Sequence, residues 1–235
     1  DALRRRSSIA WAMGADTPRA LALGAAAGAL AIEPDAVPGL CDGSQHAPEA
    51  LSESEVAGLT RPLDGAPDHV RADIPEWLWP SFVRAFGERA VEESCALAQR
   101  APTDVRVNAL KATREKVEKA LRDFAAEPTP FSPFGVRIPP AKGPKRTPNL
   151  EAEAAFQAGW FEIQDEGSQL AALLAGAGPR LRVLDLCAGA GGKTLAMAGQ
   201  MQNTGQIFAY DEDRNRLKAI FERLKVADAD GFAHI

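Results

Sequence analysis

Residues 181–213 read LRVLDLCAGAGGKTLAMAGQMQNTGQIFAYDED, and this stretch decides the fold of the C-terminal part of the chain. An apolar run over 181–186 indicates a short buried strand. A loop of small residues follows over 187–192. The spacing of leucine and methionine then predicts a helix over 193–201, and a second apolar run predicts a strand over 206–210. The predicted order is therefore strand, glycine-rich loop, helix, strand.

The loop and the residue after the second strand together predict a site for a nucleoside-containing cofactor. The loop glycines let the backbone approach a bulky ligand, because no Cβ intrudes. The loop also leads into a helix N-terminus, where free N–H groups attract negative charge. Asp211 ends the second strand, where an acid can accept both hydroxyls of a ribose. The alternative is an ordinary tight turn, which does not explain why loop and acid occur at matching strand ends.

Two common nucleotide-binding motifs do not fit this loop. A P-loop requires a glycine, four further residues and then Gly-Lys-Ser/Thr. Residues 192–194 supply the end of that motif, but Cys187 stands where its first glycine is required. The dinucleotide motif G-x-G-x-x-G fails as well, because Thr194 occupies the position of its third glycine. The residues therefore favour another kind of cofactor.

The loop resembles a motif of a known enzyme family. Residues 185–194, DLCAGAGGKT, are similar to the DLCAAPGGKT motif of the Sun/Fmu (RsmB-like) family of RNA cytosine-C5 methyltransferases. The segments RVNALK at 106–111 and QDEGSQ at 164–169 also resemble family motifs, in the same order. The resemblance extends over residues 100–226. It departs from the family motif at 189–190, where Gly-Ala replaces Ala-Pro and leaves the loop more freedom.

This resemblance implies S-adenosylmethionine as the cofactor and an α/β class I methyltransferase (Rossmann-like) domain. It also implies a small α+β ferredoxin-like RNA-binding domain before it. The candidate cofactor-binding residues lie in the loop, at the two strand ends and one turn beyond the second: Asp185, Cys187, Ala188, Gly189, Ala190, Gly191, Gly192, Lys193, Asp211 and Arg216.

We predict three segments along the chain. Residues 1–99 form a helical segment, the tail of a module resembling the antitermination factor NusB plus connecting helices. Residues 100–149 form the α+β RNA-binding domain, because a strand-helix-strand-strand order resembles the ferredoxin-like fold. Residues 150–235 form the N-terminal part of the methyltransferase domain. Only two strands of its sheet are recognisable, so we expect the domain to be truncated after them.

No catalytic residue is assigned in this chain. The family adds a cysteine thiolate to C6 of cytosine, which activates C5 toward the methyl group. Its cysteines lie in later Pro-Cys and Thr-Cys motifs, whereas no cysteine follows Cys187 here and neither motif occurs. Cys187 lies inside the predicted cofactor loop, so the match does not make it the nucleophile. We therefore expect the parent protein to be the enzyme and this fragment alone to be inactive.

The charge distribution predicts where RNA binds. The chain has a formal net charge of −5, but residues 100–150 carry 11 basic and five acidic residues. Such a local basic patch sets affinity for a polyanion. The candidate contacts are Arg106, Asn108, Lys111, Arg114, Lys142, Lys145 and Arg146. Taken singly, each cation is more simply a solvated surface charge, and only the set favours phosphate binding.

The remaining composition narrows the class of protein. An apolar share of 46% and a charged share of 25% suit a globular domain, and no apolar run is long enough to predict a membrane span. Three isolated cysteines favour a reduced, cytoplasmic location. Three scattered histidines give no metal-ligand spacing, so we predict no metal. We expect a monomer.

An aromatic stripe precedes the basic segment. Tryptophan, phenylalanine and valine recur at helical spacing over 77–86. A periodic apolar face of this kind predicts a helix packed against the core rather than a platform for RNA bases.

The leading hypothesis is an S-adenosylmethionine-dependent methyltransferase acting on C5 of cytosine in rRNA, with 16S-type small-subunit rRNA as the expected target. The alternatives are methylation of tRNA or another acceptor, and a non-catalytic RNA-binding fragment.

Overall fold

The computed structural model describes residues 2–28, 30–141, 143, 145–229 and 233–234. The chain divides into two compact units, one formed by Asp1–Arg100 with Ala141–Arg146 and the other by Ala101–Pro140 with Thr147–Ile235. Separate clusters of buried apolar side chains stabilise these units.

The first unit is helical, as the sequence predicts. Its helices are α1 (Arg6–Met13), α2 (Pro18–Gly28), α3 (Glu53–Leu59), α4 (Asp68–Arg71), α5 (Trp79–Phe86) and α6 (Ala90–Ala98). Turns of 3-10 helix lie at Ala2–Arg5, Pro34–Ala36, Pro38–Leu40 and Gly87–Arg89. Ile9, Met13 and Leu23 are buried where α1 and α2 pack together. The helices between residues 34 and 75 are short because proline cannot occupy a helix interior.

The aromatic stripe forms a helix but not a core, so this part of the prediction is wrong. No residue of α5 is buried. Trp77 is 79% exposed, Val83 43% and Phe86 40%. Helical periodicity indicates that the apolar side chains of α5 share one face, but it does not show what covers that face, and Trp77 lies in the turn before the helix.

The second unit begins with a four-stranded antiparallel sheet. Its strands are β1 (Thr103–Val107), β2 (Glu127–Pro128), β3 (Gly135–Ile138) and β4 (Phe161–Ile163), in the order β2-β3-β1-β4. Helix α7 (Arg114–Ala120) follows β1, and α8 (Ala154–Gln157) precedes β4, with 3-10 turns at Arg122–Phe124 and Leu150–Ala152. This strand and helix order is that of the ferredoxin-like fold. The core contains Val105, Val117, Leu121, Ile138 and Phe161.

Strand β4 lies beyond the boundary that the sequence analysis drew at residue 149. It pairs with β1, Val105 opposite Ile163 and Val107 opposite Phe161. The strand therefore completes the ferredoxin-like sheet rather than contributing to the following one. Three residues are too few for their apolar pattern to indicate which sheet they join. The three-part division of the chain stays a prediction.

A parallel sheet follows, with strands β5 (Arg182–Asp185), β6 (Gln206–Ala209) and β7 (Ala233–His234) in the order β5-β6-β7. Helix α9 (Glu166–Leu174) precedes β5, α10 (Gly192–Gln200) connects β5 to β6, and α11 (Arg214–Leu217) and α12 (Ala219–Ala227) follow β6. The strand-loop-helix-strand prediction is confirmed. The expectation of only two strands is wrong, because a short third strand pairs with β6.

The helices cover one face of this sheet. Ile207 of β6 is fully buried against Leu195 and Met201 on the α10 side and against Ile220 of α12. On β5, Val183 packs against the same cluster, but Leu184 is 62% exposed. Leu186, directly after the strand, is 61% exposed. The prediction of a buried strand is therefore correct for one face of β5 and wrong for the other.

Candidate functional site

The glycine-rich loop lies at the carboxyl ends of β5 and β6. Backbone hydrogen bonds join the two ends: the Tyr210 N–H donates to the Asp185 carbonyl and the Ala188 N–H donates to the Tyr210 carbonyl, both at 2.9 Å. The loop therefore continues the parallel pairing for one step before it turns into α10. This brings the loop next to the residue that follows β6, as the sequence predicts for a site at this sheet edge.

Asp211 holds the loop through its carboxylate. Its Oδ2 accepts a hydrogen bond from the Gly189 N–H at 2.8 Å, and its Oδ1 accepts one from the Asp213 N–H at 2.9 Å. These bonds from Asp213 and Gly189 hold the pKa of the Asp211 carboxyl below its ordinary value. The carboxylate is therefore ionised at neutral pH, and each oxygen keeps a lone pair for a ligand hydroxyl.

This pKa direction predicts how ligand binding depends on pH. A depressed pKa means that the fold favours the ionised carboxylate. The loop contacts of Asp211 are therefore fully present above the carboxyl's ordinary pKa. They are lost only as the pH falls through the lower pKa of the folded protein. We expect the affinity for a ribose-containing cofactor to stay constant from pH 8 to pH 5. Calorimetric titration across this range measures it, and a loss centred near pH 6 would assign the binding to a histidine instead.

Two glycines are required by the backbone of the loop. Gly189 has φ +55° and Gly191 has φ +87°, a region that residues with a Cβ rarely adopt. A Cβ at Gly191 would lie 2.3 Å from Cγ1 of the buried Ile220. At Gly192 the nearest atom to such a Cβ is Nε2 of Gln164, at 3.3 Å. Helix α12 and the QDEGSQ segment thus pack directly against the loop.

The other predicted loop residues divide into structural and accessible positions. Asp185 is half-buried, and its Oδ2 accepts a hydrogen bond of 2.7 Å from Oγ1 of the buried Thr194. Ala188 is buried, whereas Cys187, Ala190 and Lys193 are exposed. Asp185 therefore ties the strand end to the start of α10, and the exposed residues remain available to a ligand.

An open cleft of about 720 Å³ lies beside Asp211. Its walls are formed by Leu186, Cys187, Tyr210, Asp211, Glu212, Asp213 and Arg216. The Nη2 atom of Arg216 lies 3.2 Å from the position of a Cβ on Gly189, and the positive charge of Arg216 further lowers the pKa of Asp211. The structure thus brings Cys187, Asp211 and Arg216 together in one cleft. Its size suits a nucleoside-containing ligand.

Sequence reasoning missed three residues of this region. Motif comparison gives Thr194 no contact of its own, yet its hydroxyl donates a hydrogen bond to Asp185. Tyr210, at the end of the predicted second strand, is 56% exposed in the cleft wall. Arg223, on α12, donates to the carbonyl of Ala190 from 33 residues away. Position at a strand end signals Tyr210, but no local pattern signals Arg223.

Two residues predicted to bind RNA are instead buried, so these assignments are wrong. Arg106 is 5% exposed on the central strand β1, where its Nε donates to Oε1 of Gln164 at 2.6 Å. Burial lowers its pKa to about 10, which still leaves it charged at neutral pH. Asn108 is 4% exposed, and its Nδ2 donates to the carbonyls of Gly159 and Ala227, both at 3.0 Å. The RVNALK segment therefore connects the ferredoxin-like sheet to α12 rather than facing a phosphate.

The remaining RNA-binding candidates differ in accessibility. Lys111 is exposed, but its Nζ donates to the Val226 carbonyl at 2.8 Å, near the C-terminus of α12. Arg114 pairs with Glu118 at 3.3 Å. Lys145 and Arg146 are exposed in the loop after β3. Lys142 lies outside the described residues.

Within the described part of the chain, no group of three or more histidine, cysteine, aspartate or glutamate side chains could hold a metal ion. Every helix in the same residues falls short of the length and hydropathy that crossing a membrane requires.

Two family models match the chain. Residues 74–142 match the ferredoxin-like domain of the RsmF/B-like methyltransferases. Residues 173–230, which contain the loop, Asp211 and α12, match the 16S rRNA methyltransferase RsmB/F. The first match begins within the first unit and includes β1, β2 and β3, and the second includes β5 and β6.

Two of the curated relatives are named as ribosomal RNA methyltransferases. The chain is 32% identical over 150 residues to a probable ribosomal RNA small subunit methyltransferase B from Synechocystis, an alignment that covers 63% of this chain and 32% of that protein. It is 39% identical over 72 residues to a 28S rRNA (cytosine-C(5))-methyltransferase from Mus musculus, covering 31% and 16%. The chain therefore spans about a third of the length of the bacterial relative.

A solved structure shares the fold. The crystal structure of a methyltransferase homolog protein from Pyrococcus horikoshii superimposes with a TM-score of 0.61 at 25% identity. The superposition covers 71% of this chain and 53% of that one. It supports the combination of a ferredoxin-like sheet with a partial Rossmann-like sheet.

Proposed function

Because the chain belongs to the RsmB/F methyltransferase family, we propose that it is the cofactor-binding and RNA-binding part of an S-adenosylmethionine-dependent RNA cytosine-C5 methyltransferase. The proposed substrate is small-subunit rRNA, which the name of the Synechocystis relative specifies for that protein. The observation that supports the proposal best is the hydrogen bond from the Gly189 N–H of the loop to the Asp211 carboxylate at the end of β6.

The residues of the cleft fit S-adenosylmethionine. Asp211 accepts the ribose hydroxyls, and the N-terminus of α10 faces the ligand with N–H groups that have no partner within the helix. Leu186 and Tyr210 give the cleft an apolar wall against which a flat base packs. When bound, S-adenosylmethionine would supply an electrophilic methyl group, and the loop and Asp211 would hold the cofactor in the cleft.

Cys187 has no nucleophilic role in this proposal. Its thiol is exposed in the wall of the cleft, in the loop that also contains Gly189. A thiol that adds to C6 of cytosine must reach the acceptor base, whereas this one lies among the cofactor contacts. The part played by this chain is to bind and orient the cofactor and RNA.

We further propose a cellular location, an oligomeric state and a metal requirement. The protein is a cytoplasmic monomer that requires no metal. All three cysteines are free, Cys41 buried and Cys95 and Cys187 exposed, which suits a reducing compartment. Residues 1–75 remain, as a proposal, the tail of a NusB-like helical module.

Disruption of the gene in its source organism tests the substrate. Bisulfite sequencing of rRNA and tRNA should show one 5-methylcytosine missing from small-subunit rRNA and no change in tRNA. Loss from tRNA alone would favour the alternative acceptor. Unchanged 5-methylcytosine in both RNAs would contradict the proposed activity.

The exposed cations of the loop after β3 give a second test. Replacing Lys145 and Arg146 together with alanine is expected to reduce the salt dependence of RNA binding. Each phosphate contact on single-stranded RNA contributes about 0.7 to the slope of log K against log salt, so the slope should fall by about 1.4. Fluorescence anisotropy with an rRNA fragment at several salt concentrations measures it.

A matched control removes two exposed lysines elsewhere, Lys218 and Lys225 on the C-terminal helices. This variant has the same charge change and should keep the wild-type slope. An equal fall in both variants would show that net charge alone, rather than a local contact at residues 145–146, governs RNA binding.

A further inference from the structure

The peptide between Ala190 and Gly191 is held on both of its sides. Its N–H donates to the Ala188 carbonyl at 2.9 Å. Its carbonyl accepts a hydrogen bond of 2.5 Å from Nη1 of Arg223. With both polar groups engaged, the plane of this peptide is fixed, and it directly precedes the N–H groups that open α10.

The guanidinium of Arg223 is itself held in place. Its Nη2 and Nε donate to Oε2 of Glu162 at 2.7 and 3.2 Å. The side chain of Glu162 is only 9% exposed and that of Arg223 27%. A pair with this degree of burial and more than one hydrogen bond keeps a defined geometry, unlike a solvated surface pair.

Glu162 lies on the ferredoxin-like sheet, opposite Arg106 in the register of β1 and β4. Its carboxylate thus faces two guanidinium groups, one from its own sheet and one from α12. Arg106 is engaged with Gln164, whose amide also lies beside Gly192. Two residues of this segment therefore reach the cofactor loop. Glu162 of β4 does so through Arg223, and Gln164 does so directly beside Gly192.

The loop needs such an anchor. Gly189 and Gly191 both have positive φ, and glycine gives the backbone more freedom than any other residue. Residue 190, between them, is alanine, which restricts φ less than proline does. Side-chain contacts from outside the loop must therefore fix its backbone.

We propose that Arg223 is a positioning residue that aims the cofactor loop and couples it to the ferredoxin-like sheet through Glu162. The inference rests on the proposed function of the loop. Arg223 touches neither cofactor nor RNA in this role. It fixes the Ala190 carbonyl and with it the backbone that leads into the N–H groups at the start of α10 before the ligand arrives, and preorganisation of this kind raises affinity.

The test compares S-adenosylmethionine binding by calorimetry in Arg223→Met, Glu162→Gln and the double variant. Methionine keeps the apolar stem and removes the donors. Loss of a charge-assisted hydrogen bond that positions the site should weaken binding about tenfold in Arg223→Met. Glu162→Gln should show a smaller loss, and the double variant should be no weaker than Arg223→Met alone, because both changes break one linkage.

A spectroscopic signature separates positioning from general stability. In Arg223→Met the amide NMR signals of Gly191 and Gly192 should shift, while the signal of Ile207 in the sheet core stays in place. Lys225→Ala is the matched control, since it removes a neighbouring cation whose partner is the exposed Glu222. It should change neither binding nor these signals.

Two results would overturn the inference. One is that Arg223→Met binds S-adenosylmethionine with an affinity within twofold of wild type while Asp211→Ala no longer binds it. That result would leave the cofactor assignment intact. The other is a double variant whose loss of binding free energy equals the sum of the losses in the two single variants. If Arg223→Met does not fold, unaltered binding by Glu162→Gln decides against the coupling. Absence of binding by the folded wild-type chain would instead count against the proposed function itself.

Discussion

Replacing Asp211 with alanine is expected to weaken S-adenosylmethionine binding by about 100-fold or more. The change removes the acceptors of the Gly189 and Asp213 N–H groups, so the loop loses the contact that closes it against β6. It also removes the carboxylate that we propose binds the ribose hydroxyls. Equilibrium dialysis with labelled S-adenosylmethionine measures the loss.

The control for this change is Glu222→Ala, which removes an equal charge from an exposed position on α12. It should bind like the wild-type protein. Wild-type affinity in a folded Asp211→Ala variant would show that the cofactor does not use this carboxylate, and the assignment of the cleft would be wrong.

Replacing Gly191 with alanine is expected to destabilise the parallel sheet and its helices by about 2–5 kcal/mol, because two costs combine. A Cβ in the left-handed region is strained, costing about 1–2 kcal/mol. The same Cβ would lie 2.3 Å from Cγ1 of Ile220, and overpacking of a core costs about 1–3 kcal/mol. Hydrogen exchange of peptides spanning β5 to α12 reports the local free energy of opening.

Gly199 provides the matched control within α10. Its φ is not positive and no atom lies within 4 Å of a Cβ built there. Gly199→Ala should therefore stabilise the helix by up to about 1 kcal/mol. Equal protection from hydrogen exchange in Gly191→Ala and Gly199→Ala would mean that the backbone of the loop does not require glycine at position 191.

The structure of the glycine-rich loop and its position beside Asp211 could be predicted because their signals are local. Strand, small-residue loop, helix and acid follow one another within 33 residues, and parallel pairing of β5 with β6 brings the loop to Asp211. The same holds for the start of α9, where the Asp165 side chain accepts the Ser168 N–H at 3.3 Å from only three residues away, as an N-cap does. Local spacing is sufficient wherever the partners are close in the chain.

The roles of Arg106 and Asn108 could not be predicted in the same way. Both belong to a basic segment, and charge alone places a cation at the surface. Their partners are distant in sequence: Gln164 for Arg106, and Gly159 and Ala227 for Asn108. Only the fold brings these groups together, and the same holds for Arg223, Glu162 and Ala190.

The cofactor site is tested most directly by calorimetric titration of S-adenosylmethionine into the wild-type chain at pH 7. We expect saturable binding at one site per chain. Circular dichroism of the same sample establishes that the protein is folded. A folded chain that gives no saturable binding would contradict the assignment of the loop and Asp211 as the cofactor site.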